Sequence, residues 1–231
     1  QTYPARLGIV GDARMVLRQL IEGLRGLEPR PSRANQVAEA VQEKVRALWD
    51  RLPRQMSILQ DIRNALDRDA IVAWDMTLVG YTSTSYFPVY QTRSYLYPFT
   101  SGTLGFGLPA AIGAKVGQVE RQVVSLSGDG GFLFTGQELA AAVQHGLNVV
   151  SIVFNDQCYS AVKIIHQSEF DGRYVDTDLS PVDYVKLAEA YGARGIKAQP
   201  EELKQALKQA LGIPGPVLIE VPLTLPLRPA W

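Results

Sequence analysis

From residue 55 onward, short unbroken apolar runs alternate with spaced apolar stripes. Ala70-Ile71-Val72-Ala73-Trp74, Gln122-Val123-Val124-Ser125-Leu126-Ser127, Asn148-Val149-Val150-Ser151-Ile152-Val153-Phe154 and Pro216-Val217-Leu218-Ile219-Glu220-Val221 are rich in β-branched residues. Runs of this length without polar alternation predict buried strands. Gly195-Ile196-Lys197-Ala198 predicts a shorter one. Between them lie helical patterns over Ser57–Asp67 (Ile58, Ile62 and Leu66 on one face), Leu139–His145, Tyr159–Gln167, Tyr184–Tyr191 and Glu201–Leu211. Thr135-Gly136-Gln137-Glu138 has the capping-box pattern, with Thr135 as N-cap, and Gly146 marks that helix's end. Strand–helix alternation predicts an α/β fold, a parallel sheet of about five or six strands with helices on both faces.

The first part of the chain reads differently. Residues 1–28 predict one strand, at Leu7-Gly8-Ile9-Val10, and one helix running through Leu24. Residues 29–54 read as a polar, proline-containing linker followed by a connecting helix from Ala38 to Leu52. The main domain is expected over 55–231. Tyr81–Tyr97 is aromatic and irregular, either a loop facing substrate or a dimer partner, or a packed surface loop.

Composition narrows the function classes. The 231 residues carry 23 Lys and Arg against 23 Asp and Glu, so no bulk attraction to nucleic acid or to an anionic membrane is expected. No apolar run approaches the roughly 20 residues that span a bilayer, and no signal peptide is apparent. One cysteine and two histidines leave no internal disulfide and no zinc cluster, and suit a reducing, cytoplasmic setting.

Two groups at strand ends carry the chemistry. Gly128-Asp129-Gly130 follows one predicted strand and Asn155-Asp156 follows the next, with a helix between. A right-handed βαβ unit makes both strands parallel and brings both groups to the carboxyl edge, where open α/β sheets bind ligands. Magnesium takes about six oxygens at roughly 2.1 Å and often shares them with phosphates. Asp129 and Asp156 offer side-chain oxygens and Cys158 a backbone carbonyl, while Gly130 and Gly131 leave room and amides for phosphate oxygens. The Gly102-Thr103-Leu104-Gly105-Phe106-Gly107 run lacks the glycine order of a dinucleotide fingerprint, and no Gly-x-x-x-x-Gly-Lys-Ser/Thr loop supports nucleotide phosphotransfer. No histidine is placed to activate Cys158 as a nucleophile.

Gly128-Asp129-Gly130 with Asn155-Asp156 resembles the thiamine diphosphate motif of the acetolactate synthase and 2-oxo acid decarboxylase superfamily. Ser101–Ala114 resembles the start of a helix in that family's cofactor domain, and residues 1–28 resemble the last β-α unit of its middle domain. The resemblance implies thiamine diphosphate and Mg2+ as cofactors, with Asp129, Asp156 and the Cys158 carbonyl on the metal. It implies Gly128, Gly130, Gly131 and Asn155 around the diphosphate. Gly102 would offer its carbonyl to the aminopyrimidine, and Leu104 would be the wedge that bends the cofactor; a plain core leucine is the alternative. Asp156 stands where many relatives have asparagine, which keeps an oxygen ligand but adds a negative charge.

The resemblance also implies what the chain lacks. The family's activating glutamate lies on a pyrimidine-binding domain with no counterpart here. With Gln1 at its start, the chain is expected to be the C-terminal part of a longer enzyme, or to take that domain from a partner, and to be inactive alone. The family pairs its cofactor domains, so a homo-oligomer is expected. Tyr159, Lys163 and His166 are candidates for contact with a 2-oxo acid or aldehyde substrate, or equally residues of a solvated helix face. A non-catalytic cofactor-binding or regulatory module of the same fold is the alternative to an enzyme.

Overall fold

The computed structural model describes residues 4–28 and 32–226. The chain divides into two compact units, Gln1–Lys44 and Val45–Trp231. The first holds α1 (Ala13–Leu24) and the start of α2 (Ala34–Arg51). Asp12 caps α1, its carboxylate accepting from the Met15 amide at 3.0 Å and so satisfying one of the helix's orphan donors. The strand expected at Leu7–Val10 does not form. An extended segment needs a neighbouring strand for its amides and carbonyls, and among the described residues none pairs with it. Residues 29–31 of the expected linker lie outside the described residues.

The second unit runs α3 (Pro53–Ala65), β1 (Ile71–Trp74), α4 (Leu78–Tyr86), β2 (Tyr95–Leu96), α5 (Gly107–Gly117), β3 (Val123–Gly128), α6 (Asp129–Thr135), α7 (Leu139–Gln144), β4 (Val150–Asn155), α8 (Ser160–Glu169), α9 (Tyr184–Ala190), β5 (Arg194–Lys197), α10 (Leu203–Leu211) and β6 (Val217–Pro222). Six strands form one sheet in the order β2-β1-β3-β4-β6-β5, every neighbouring pair parallel. Successive side chains along a strand point to opposite faces, and in the four central strands β1, β3, β4 and β6 both faces are dry. Val72, Trp74, Val124, Leu126, Ile152 and Ile219 pack against α3, α4 and α10, through Ile62, Val79 and Leu207 among others. On the other face Val153 and Leu218 meet Phe132, Leu139 and Tyr184, and Ala73 and Val123 meet Ala111 of α5. Each fully buried large side chain contributes about 1.5–3 kcal/mol.

Two local expectations give way, the first only in part. The aromatic stretch Tyr81–Tyr97 is irregular only in part: its start lies in α4 and Tyr95–Leu96 form the edge strand β2, with the segment between them irregular as expected. Hydroxyl-bearing residues are weak helix formers. Here Thr82 and Ser83 donate back to the carbonyls of Leu78 and Gly80, while Val79 and Phe87 are buried in the core. The Ser83 and Tyr95 hydroxyls meet at 2.7 Å and tie the two elements together. The capping box at Thr135 does not form either. A helix already begins at Asp129, and the Thr135 hydroxyl instead donates to the Gly105 carbonyl at 2.9 Å.

The strand order fixes where a ligand fits. After β1 the chain moves outward to β2; after β3 it moves the other way to β4. The connections therefore diverge between the carboxyl ends of β1 and β3, the crevice where open α/β sheets take their ligands.

Candidate functional site

A cavity of about 290 Å3 opens at that crevice. Met76 and Thr77 line it from the end of β1, Gly128 to Gly131 from the end of β3, and Asp156, Cys158 and Tyr159 from the end of β4. Gly102 and Leu104 close one side, from the loop before α5. The structure therefore gathers Asp129, Asp156, Cys158, Gly102, Leu104, Gly128, Gly130, Gly131 and Tyr159 into one wall. Leu223 and Leu225, after the last strand, also line it. No residue pattern signals them, because they are brought in by the chain returning along β6.

The Asp129 carboxylate is buried and pinned. Its Oδ1 accepts from the Gly130 amide at 2.8 Å and its Oδ2 from the Cys158 amide at 3.2 Å. Burial raises its pKa above the usual carboxylate range, and the surrounding amides oppose this only in part. The Gly130 amide, expected to stand open for phosphate, is thus given to Asp129 instead. The Tyr159 ring lies over Gly130: a Cβ at that position would come within 2.4 Å of its Cε1. The backbone of Asp129 is fixed from below by the Tyr184 hydroxyl, which donates to its carbonyl at 3.4 Å.

Asp156 sits in the same electrostatic environment. Its pKa is pushed up to about 6, first by burial and further by the Asp129 charge, with the hydrogen bond from the Ser160 hydroxyl pulling the other way. Two carboxylates desolvated at one cavity, the charge of Asp129 further raising the pKa of Asp156, are poorly served without a cation. Among the described residues no three His, Cys, Asp or Glu side chains gather as a metal site. Hard oxygen donors, two carboxylates with room for ligand oxygens, suit a magnesium ion that shares its shell with a phosphate.

The turn between β4 and α8 is built to present these groups. Asn155 does not line the cavity. Its Nδ2 donates to the buried Glu220 at 3.0 Å, and its Oδ1 accepts from the Gln157 amide at 3.2 Å. Gln157 takes the left-handed conformation, with φ of 58°. The strand-like segment 177–179 holds it in place, Tyr159 donating to the Thr177 carbonyl and Leu179 to that of Gln157. Lys163 and His166 lie off the cavity wall. Lys163 is paired with Asp178, and the His166 ring packs edge-on against Phe170. The second cavity, at the opposite end of the sheet around Lys115 and Arg121, holds none of the expected site residues.

A parallel sheet of this order, with acidic and glycine-rich strand ends meeting at its switch point, defines a diphosphate-binding α/β domain. The family described as thiamine pyrophosphate enzyme, C-terminal TPP binding domain, matches residues 75–221, and the chain belongs to it. The acetolactate synthase of Bacillus subtilis is 37% identical over 183 residues, covering 78% of this chain and 32% of that protein. A probable 2-ketoarginine decarboxylase of Pseudomonas aeruginosa is 34% identical, covering 95% of this chain and 40% of its own length. Among solved structures, a thiamine diphosphate-dependent 4-hydroxybenzoylformate decarboxylase of Rhodococcus jostii superposes with a TM-score of 0.70 at 33% identity, over 75% of this chain and 33% of that one. The chain thus spans about a third to two fifths of the length of the proteins it resembles. No helix among the described residues is long and apolar enough to cross a membrane.

Proposed function

We propose that the cavity binds magnesium thiamine diphosphate, and that the chain is the C-terminal portion of an acetolactate synthase-like carboligase or decarboxylase acting on 2-oxo acids. The observation that carries this reading is the meeting of Asp129 and Asp156 with a glycine turn, Gly102 and Leu104 around one cavity. Asp129, Asp156 and the Cys158 carbonyl would hold the cation, and Gly128, Gly130 and Gly131 would flank the diphosphate. Gly102 and Leu104 would meet the other end of the cofactor and keep it bent. The cofactor's contribution is an electron sink for loss of carbon dioxide from a 2-oxo acid. Of the three candidate substrate residues, Tyr159 stands in the cavity wall and is the one proposed to meet substrate.

The activating glutamate is proposed to come from a pyrimidine-binding domain, in the same longer chain or in a partner chain. The length of the relatives supports this. A homo-oligomeric, cytoplasmic protein is part of the same proposal, on the ground that cofactor domains of this kind pair. The test is a thermal titration of the 231-residue chain with thiamine diphosphate and Mg2+, followed by addition of a pyrimidine-binding domain and a 2-oxo acid. Saturable protection and restored decarboxylation are expected. Protection without restored activity would favour a non-catalytic binding module, and protection by nucleotide but not by thiamine diphosphate would overturn the reading.

A further inference from the structure

Asp75 is a completely buried carboxylate just past the end of β1. No lysine, arginine or histidine is paired with it in any ion pair among the described residues. Its hydrogen bonds go to backbone. Oδ1 accepts from the Met76 amide at 2.7 Å, and Oδ2 accepts from the Gly107 amide at 3.1 Å. Gly107 is the first residue of α5, whose own N-cap residue, Phe106, makes no side-chain cap. A negative group there satisfies an orphan amide and complements the helix dipole. Asp75 therefore caps from another strand a helix that cannot cap itself.

The capped segment is the one that carries Gly102 and Leu104. It is tied down a second time, by the Thr135 hydroxyl on the Gly105 carbonyl at 2.9 Å. Gly105 has φ of +80°, and a Cβ there would come within 2.9 Å of Phe134 and Thr135. The two tethers thus fall on either side of Phe106, immediately after Leu104. Asp75 also abuts the diphosphate-side turn, since a Cβ on Gly131 would lie 3.1 Å from Asp75 Oδ1.

We infer that Asp75 is a positioning residue: its buried carboxylate locks the Gly102–Gly107 loop against the glycine turn, and so sets the place of Leu104 in the cavity wall. This rests on the proposed cofactor reading and names the part of the chain that holds the cofactor's organic end in register. A carboxylate is required because two backbone amides converge on it and both need acceptors. Asparagine keeps one acceptor and turns an N–H toward the other amide.

The test compares two ligands on one protein. Thiamine diphosphate with Mg2+ needs the loop, whereas inorganic pyrophosphate with Mg2+ needs only the Asp129 and Asp156 end. In Asp75→Asn the affinity for thiamine diphosphate should fall about tenfold or more, while that for pyrophosphate stays within about twofold. Amide exchange at Gly105–Gly107 should quicken selectively. Equal losses for both ligands, or no loss for thiamine diphosphate, would overturn the inference. Thr135→Val removes the second tether from a half-buried position, and should give the same split with a smaller amplitude if Asp75→Asn does not fold. Should the unaltered chain bind neither ligand, the proposed function fails. The exchange measurement then still decides whether Asp75 restrains the loop, and unchanged exchange would end the positioning claim.

Discussion

Replacing Asp156 by asparagine should make the metal-free domain more stable. Folding carries this carboxylate from an ordinary pKa of 3.8 to about 6, chiefly through burial. The folded chain then holds a proton that the unfolded chain releases, so the sign is fixed. The cost of the charge is absent below about pH 4, grows as pH rises, and is complete above the folded pKa of about 6. A tenfold change in an acid constant is worth about 1.4 kcal/mol, which puts the ceiling near 3 kcal/mol at about pH 8. Solvent reaching this half-buried group lowers the expected value to about 1–2 kcal/mol. Asparagine keeps an oxygen for the Ser160 hydroxyl and removes the repulsion with Asp129. Urea unfolding in chelator at about pH 4.5 and about pH 8 measures it. The variant should gain on the original chain at the higher pH and lose most of that advantage at the lower. With Mg2+ and pyrophosphate present the gap should narrow, because the original chain recovers part of its cost by binding the ion through a charged oxygen. A variant that is less stable than the original in chelator at about pH 8 would refute the picture of two carboxylates held together for want of a cation.

Three other substitutions probe the frame. Gly131→Ala places a methyl 3.1 Å from Asp75 Oδ1 and 3.2 Å from its Cγ, on a carboxylate held by two amides. It should cost about 1–3 kcal/mol in denaturant unfolding and weaken pyrophosphate binding in a calorimeter, and an unaffected affinity would mean that the turn has slack. Gly195→Ala drives a methyl to 2.7 Å from the Val185 carbonyl oxygen and 2.9 Å from its Cα. Its unfolding temperature should drop by several degrees with pyrophosphate affinity preserved, since β5 lies at the far edge of the sheet. Lys197→Met leaves Glu220, 3% exposed, with the Asn155 amide as its remaining hydrogen-bond partner among those found. It should cost about 1–3 kcal/mol, and adding Glu220→Gln should recover much of this in a double-mutant cycle; strict additivity would show that the pair does not couple.

What the residues announce in advance, and what they conceal, follows from the range of the forces involved. The strands are legible because a parallel sheet covered on both faces demands unbroken apolar runs, as in Val150–Phe154. The convergence of Asp129 and Asp156 is legible because a βαβ unit leaves only one arrangement of its two strand ends. Other outcomes depend on partners that no local pattern specifies. Asn155 looks like a phosphate-side residue at its strand end, yet Glu220, from a strand 65 residues on, draws its amide away. Lys163 has the spacing of a substrate contact, yet Asp178 takes its charge. Thr135 and Glu138 have the pattern of a capping box, yet the carbonyl that the Thr135 hydroxyl reaches lies 30 residues back at Gly105. Asp75 ends its strand on the same edge as Asp129, without the flanking glycines. They part by which amides reach them: the first accepts from the Gly107 amide of α5 and lies off the cavity wall, while the second, at the start of α6, accepts from the Gly130 and Cys158 amides and lines the cavity. The surroundings of an acid at a strand tip are thus set by the backbone amides that the fold brings to it, and those of Gly107 and Cys158 come from about 30 residues away in the chain.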